Sequence, residues 1–128
     1  MEIVFETRNL TKRFGGLTAL DGIDIQISRP SIVGLLGRNG SGKTTLLHHL
    51  MGLQLPSEGM AITLGKTAER LAHDQLRQIG FVPQEIRLVD WMTVEQHLAY
   101  VACFYPQWDG DRQQRLLGEL ELDTGTTV

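Results

Sequence analysis

A single cysteine, Cys103, means that no disulfide can form within the chain. A disulfide-stapled scaffold is thereby excluded, and a reducing compartment is the simplest expectation. Cys103 itself reads as a small buried hydrophobe on a helix. No run of Lys and Arg is present, and the formal net charge is −3. Both weigh against a general electrostatic grip on nucleic acid, so no nucleic-acid partner is expected. No apolar stretch approaches the roughly 20 residues that a bilayer-spanning helix needs. The opening Met1-Glu2-Ile3-Val4-Phe5-Glu6 lacks a basic flank before a long apolar run, which predicts no secretory leader. Membrane association is then expected only through a partner. Internal repeats and low-complexity tracts are missing too. What is there is the composition of an ordinary globular domain: 128 residues, 41% hydrophobic and 21% charged, enough apolar material for a core.

Hydrophobic patterning predicts the elements. Residues 3–8 and 20–28 alternate apolar and polar, with Ile23, Ile25 and Ile27 facing one way and Asp24, Gln26 and Ser28 the other. A turn over 11–17, holding Gly15 and Gly16, would make them an antiparallel pair with one solvated face. The nearly continuous apolar run 31–36 predicts a strand buried on both sides, as in a parallel α/β sheet. A helix is predicted over 44–51 and stopped near Gly52. A turn at 56–59, a strand at 60–64, a helix at 68–78 and a short strand at 79–82, closed by Pro83, follow. Thr93 with Gln96 forms a capping-box pattern for a helix running to Tyr105, and Asp109 or Asp111 could cap one more helix through Leu120. The expected division is an α/β core over 1–85 and a helical part over 86–128, with the change near 84–90.

Between the apolar run and the first helix lies Gly37-Arg38-Asn39-Gly40-Ser41-Gly42-Lys43-Thr44. This is the Walker A pattern, G-x-x-x-x-G-K-[ST]. Glycines let backbone amides close around phosphate oxygens. Those amides form a concave anion nest at a helix N-terminus, where the helix dipole favours negative charge. Lys43 would bring a mobile charge to the β- and γ-phosphates, Thr44 would offer a hydroxyl to Mg²⁺, and Thr45 could add one near the α-phosphate. Four fixed positions coincide by chance in about one in several hundred chains of this size. An apolar run before the motif and a helix after it sharpen the match.

Here the sequence resembles the ATP-binding subunits of ABC transporters, over roughly 3–122. The phosphate loop is common to many nucleotide-binding proteins, but three further features carry the resemblance. Phe14, in Thr11-Lys12-Arg13-Phe14-Gly15, stands where the family has an aromatic residue that stacks on adenine; by itself it reads as a core aromatic. Gly80-Phe81-Val82-Pro83-Gln84 resembles the family's Q-loop, which implies that Gln84 reaches Mg²⁺ and the attacking water. By itself Gln84 is a polar residue after a strand-ending proline. Phe104-Tyr105-Pro106-Gln107-Trp108-Asp109 resembles a block of bacterial exporter-type subunits, and reads equally as a helix end with packed aromatics and a capping Asp.

The resemblance implies a P-loop NTPase fold of the ABC-ATPase type, with an antiparallel β part and the start of a helical subdomain. It implies ATP and Mg²⁺ as ligands, with Lys43 and Gln84 catalytic and Thr44 and Gln84 on the metal. The nucleotide contacts would be Phe14, Gly37, Asn39, Gly40, Ser41, Gly42, Lys43, Thr44 and Thr45. Partners would be a membrane permease and a second ATP-binding subunit. The place would be the cytoplasmic face of the cell membrane, and the work ATP-driven export. The family's Leu-Ser-Gly-Gly-Gln signature, its apolar strand ending in Asp-Glu and its switch histidine do not occur in these residues. Neither Leu88-Val89-Asp90 nor Leu120-Glu121-Leu122-Asp123 has the apolar run to replace that strand. A partial chain is the expectation, poorly stable alone, with an unpaired apolar strand inviting aggregation. Two other readings are a non-transport ABC protein of ribosomes or DNA, and an ATP-holding module without hydrolysis. His48 and His49 are adjacent on a helix and diverge by about 100°, so they do not form a metal pair. His73 and His97 lack a paired ligand.

Overall fold

The computed structural model describes residues 2–29, 31–86 and 88–128. Two compact units divide the chain, Met1–Leu76 and Arg77–Val128. The first is built on an antiparallel sheet with strand order β2-β1-β3-β4. Strand β1 (Ile3–Phe14) and β2 (Leu17–Ser28) form a long hairpin closed at Phe14↔Leu17. Strand β3 (Glu58–Thr63) lies on the other side of β1, and β4 (Lys66–Thr67) ends the sheet. The expected pair is present, but the turn is far tighter than 11–17: only Gly15 and Gly16 separate the strands.

Strand β1 stays paired through a stretch of irregular register around Asn9, whose φ is 47°. Buried threonines complete the interrupted ladder. Thr7 donates its hydroxyl to the Ile23 carbonyl at 2.8 Å and accepts from the Ile25 amide at 3.1 Å. The Thr11 hydroxyl accepts from the Gly22 amide at 2.9 Å. Unpaired backbone groups in a buried setting are costly, so these side chains stand in for missing ladder partners. Strand β3 crosses the same irregularity at Gly59, with φ of 73°. A Cβ there would stand 2.1 Å from the Asn9 carbonyl oxygen, so no other residue fits.

Helix α1 (Lys43–Leu50) packs on this sheet. Leu46 and Leu50 join Leu10, Leu20, Ala61 and Ala68 in the core. Burying each of the two leucines contributes about 1.5–3 kcal/mol. The helix stops as expected at Gly52: the amides of Gly52 and Leu53 donate to the carbonyls of His49 and His48, at 3.1 and 2.9 Å. Thr63 of β3 donates its hydroxyl to the Leu50 carbonyl at 2.6 Å, satisfying a helix-end acceptor inside the core.

Three expected elements differ. Residues 31–36 form no strand, and Ile32 and Leu36 are almost wholly exposed. A strand needs a neighbour for its N–H and C=O groups, and among the described residues none lies beside it. The sheet is therefore antiparallel throughout, without the parallel pairing that the apolar run suggested. Residues 79–82 likewise form no strand, with Phe81 and Val82 exposed. The helix over 68–78 is broken into a 3₁₀ turn (Ala68–Arg70) and a short α2 (His73–Leu76). Extended backbone at Leu71 interrupts it, after Ala68 has been drawn into the core.

The second unit holds α3 (Val94–Ala102) and α4 (Gly110–Glu119). Thr93 and Gln96 make the full reciprocal capping box. Of the two candidate caps for α4, Asp109 is the one used: its carboxylate accepts from the Arg112 amide at 2.8 Å. Helix α3 ends earlier than Tyr105, with Cys103 exposed at its C-cap rather than buried. Val94, Leu98, Leu116, Leu117 and Leu120 help to line an apolar groove of about 390 Å³ in this unit. The 84–90 stretch belongs to this unit, and Arg87 within it lies outside the described residues.

Candidate functional site

The glycine-rich loop enters α1 directly. Gly42 is the helix N-cap in the left-handed region, φ 87° and ψ 2°, and supplies no side-chain cap. A Cβ at Gly42 would lie 2.5 Å from the Ala19 carbonyl oxygen, so the loop's end rests on β2 with no room for a side chain. The first turn of α1 carries no acidic residue. The amides there are thus left to an outside acceptor, and the helix dipole adds attraction for an anion. Ahead of it, the Ser41 amide donates to the Arg38 carbonyl at 3.1 Å and turns the loop back on itself.

Lys43 closes this loop. Its Nζ donates to the carbonyls of Gly37 and Arg38, both at 2.7 Å, and lies 3.4 Å from Ser41 Oγ. The ammonium therefore sits inside the curve of the motif. Gly37, Asn39, Gly40, Ser41 and Thr44 are exposed along the loop, while Lys43 and Thr45 are half-buried. The Thr45 carbonyl accepts from His49 Nδ1 at 2.7 Å. A carbonyl can only accept, so Nδ1 carries the proton. That bond, together with burial to 1% exposure, makes His49 a fixture of α1 packing, which patterning alone does not reveal. Among the described residues, no group of three His, Cys, Asp or Glu could hold a metal ion.

Phe14 stands at the hairpin end in the same unit. It pairs with Leu17 across the turn, and Gly42 rests on Ala19 of the same strand. The distance from Ala19 to Leu17 along β2 is roughly 7 Å. Phe14 is 44% exposed there. The Ala19 carbonyl, on which Gly42 rests, is the contact to the loop that sequence reading missed. The only sequence signal for Ala19 is its place beside Leu20 in an alternating strand. Gln84 is exposed in a non-regular stretch of the second unit.

The donor set is backbone amides, one ammonium and an exposed hydroxyl, with no carboxylate in the helix's first turn. Such a set grips a polyanion and fits a phosphate chain. The comparisons with known proteins point the same way. Residues 20–127 match the family described as ABC transporter. The chain is 36% identical over 104 residues to the "Probable multidrug ABC transporter ATP-binding protein YbhF" of Escherichia coli, covering 81% of this chain and 18% of that protein. It is 43% identical over 100 residues to the "Probable sulfate/thiosulfate import ATP-binding protein CysA" of Chlorella vulgaris, covering 78% and 41%. A solved structure titled as the ATP-binding subunit of an ABC transporter superposes with a TM-score of 0.82 at 26% identity, covering 97% of this chain and 54% of that one. The chain belongs to the ABC transporter family. It spans well under half the length of these two curated relatives.

Proposed function

We propose that this chain is the nucleotide-gripping part of an ABC transporter ATP-binding subunit, coupling ATP binding and hydrolysis to transport through a separate membrane permease. The observation that carries this reading is the placement of Lys43 Nζ inside the curve of the 37–44 loop, at the uncapped start of α1. The loop amides and Lys43 bind the β- and γ-phosphates, Thr45 lies toward the α-phosphate, and Phe14 stacks on adenine. Thr44 would offer its hydroxyl to Mg²⁺, which when bound would supply positive charge to the phosphoryl oxygens. In phosphoryl transfer the protein's work is mainly positioning and charge stabilisation, which these groups suit.

Hydrolysis further requires the general-base Glu that the family carries at the end of an apolar strand, and the 128 residues contain no apolar run ending in Asp-Glu. Binding without turnover is the expectation for this stretch by itself. A second ATP-binding subunit completes the site, and attachment to the inner face of the cell membrane is through the permease. Among the described residues no helix is long and apolar enough to cross a membrane, which suits that role. The 104–109 block supports export as the direction.

Calorimetric titration with Mg·ATP tests the assignment. Lys43→Ala is expected to weaken binding by at least about a hundredfold, in line with the loss of a charge-assisted phosphate contact. Unchanged affinity in that variant would sink it. A phosphate-release assay on the same samples is expected to stay at background.

A further inference from the structure

The ring at the hairpin end does not stand alone. Lys12 Nζ lies 5.1 Å from the centroid of the Phe14 ring, in cation–π range. The same ammonium donates to the Leu55 carbonyl at 2.7 Å, which ties it to the stretch between α1 and β3. Neighbouring bonds hold that stretch to β1 as well: the Ser57 amide donates to the Thr11 carbonyl at 2.8 Å, and Ser57 Oγ accepts from the Arg13 amide at 3.0 Å. Arg13 also pairs with Glu58 at 2.5 Å. Lys12 is therefore a held cation behind an aromatic ring, not a free surface lysine.

We infer that Lys12 is a positioning residue for base recognition, acting through Phe14. This rests on the reading of Phe14 as the adenine-stacking ring. An ammonium over one face of a ring occupies that face and leaves the other for a planar ligand. It also draws ring electron density toward itself, which makes the open face a better partner for an electron-rich purine. The bond to Leu55 fixes the cation, and the cation fixes the ring. Lys12 thus affects ligands that carry a base and is indifferent to the phosphate chain.

The test separates these two parts of the ligand. The full chain and its Lys12→Met, Lys12→Gln, Lys12→Arg, Phe14→Ala and Lys12→Met/Phe14→Ala variants are titrated with ATP and with inorganic tripolyphosphate. Lys12→Met and Lys12→Gln are expected to weaken ATP about two- to fivefold, the range of an exposed cation–π contact, and to leave tripolyphosphate unchanged. Lys12→Arg should restore most of the loss. In the Phe14→Ala background Lys12→Met should cost nothing further. Equal losses for both ligands would make Lys12 a phosphate contact and overturn the inference. So would a full Lys12→Met effect without the Phe14 ring. A wild-type chain that binds neither ligand overturns the nucleotide reading and this inference with it. A wild-type chain that binds both, with Lys12→Met unaltered, overturns only the role of Lys12.

Discussion

The two segments that flank the glycine-rich loop both carry leucines, and they have opposite fates. Residues 43–50 after the loop form α1, bury Leu46 and Leu50, and are bonded through Thr63 to β3. Residues 31–36 before it form no strand and expose Ile32 and Leu36. The difference lies in how each kind of element satisfies its backbone. A helix closes its own hydrogen bonds and needs only one apolar face covered. A strand depends wholly on its neighbours. The hairpin supplies the surface that α1 needs, whereas no described strand lies beside 31–36. The candidate phosphate loop is thus held from its helix side.

That contrast can be broken from either side. Leu50→Ala on the anchored side is expected to cost about 2–5 kcal/mol, because Leu50 is buried among five other core residues that cannot all close around the gap. Urea unfolding followed by circular dichroism measures it, and a loss below about 1 kcal/mol would show that α1 does not anchor the loop. Gly42→Ala at the junction comes next. It is expected to cost about 1–3 kcal/mol, since the left-handed backbone and the Ala19 carbonyl both exclude a Cβ. ATP affinity should fall along with stability, and normal ATP binding in a stable Gly42→Ala variant would contradict the described seating of the loop. The smallest effect is expected for Ile32→Asp in the exposed run, within about 0.5 kcal/mol of wild type. The same change should reduce self-association, measured by light scattering, because it removes an apolar, unpaired stretch. A loss of several kcal/mol would instead mean that 31–36 is packed in solution.

Local signals were legible wherever one segment contains its own explanation. Thr93 and Gln96 cap α3 as read, Asp109 caps α4, and Gly52 ends α1, because each device is built within a few residues. The β1–β2 hairpin followed from alternation, though its full length did not. The ladder past Asn9 survives only because Thr7 and Thr11 fill gaps that no periodicity announces. The apolar runs at 31–36 and 79–82 form no strand for one reason: such a run shows that burial is favourable, not that a partner is present. The single helix at 68–78 failed because drawing Ala68 into the core breaks it at Leu71.

By itself the sequence determined the loop motif, the helix that follows it, the caps and the family to which the chain belongs. All of these are carried by residues close together in the chain, or by residue types at fixed spacing. Only the tertiary structure decided that the sheet is antiparallel throughout and that Gly42 rests on Ala19. It alone placed His49 inside the core and Lys12 behind the ring of Phe14. These depend on which distant segments meet, and that is set by the competition for backbone partners and buried surface, which no local pattern encodes.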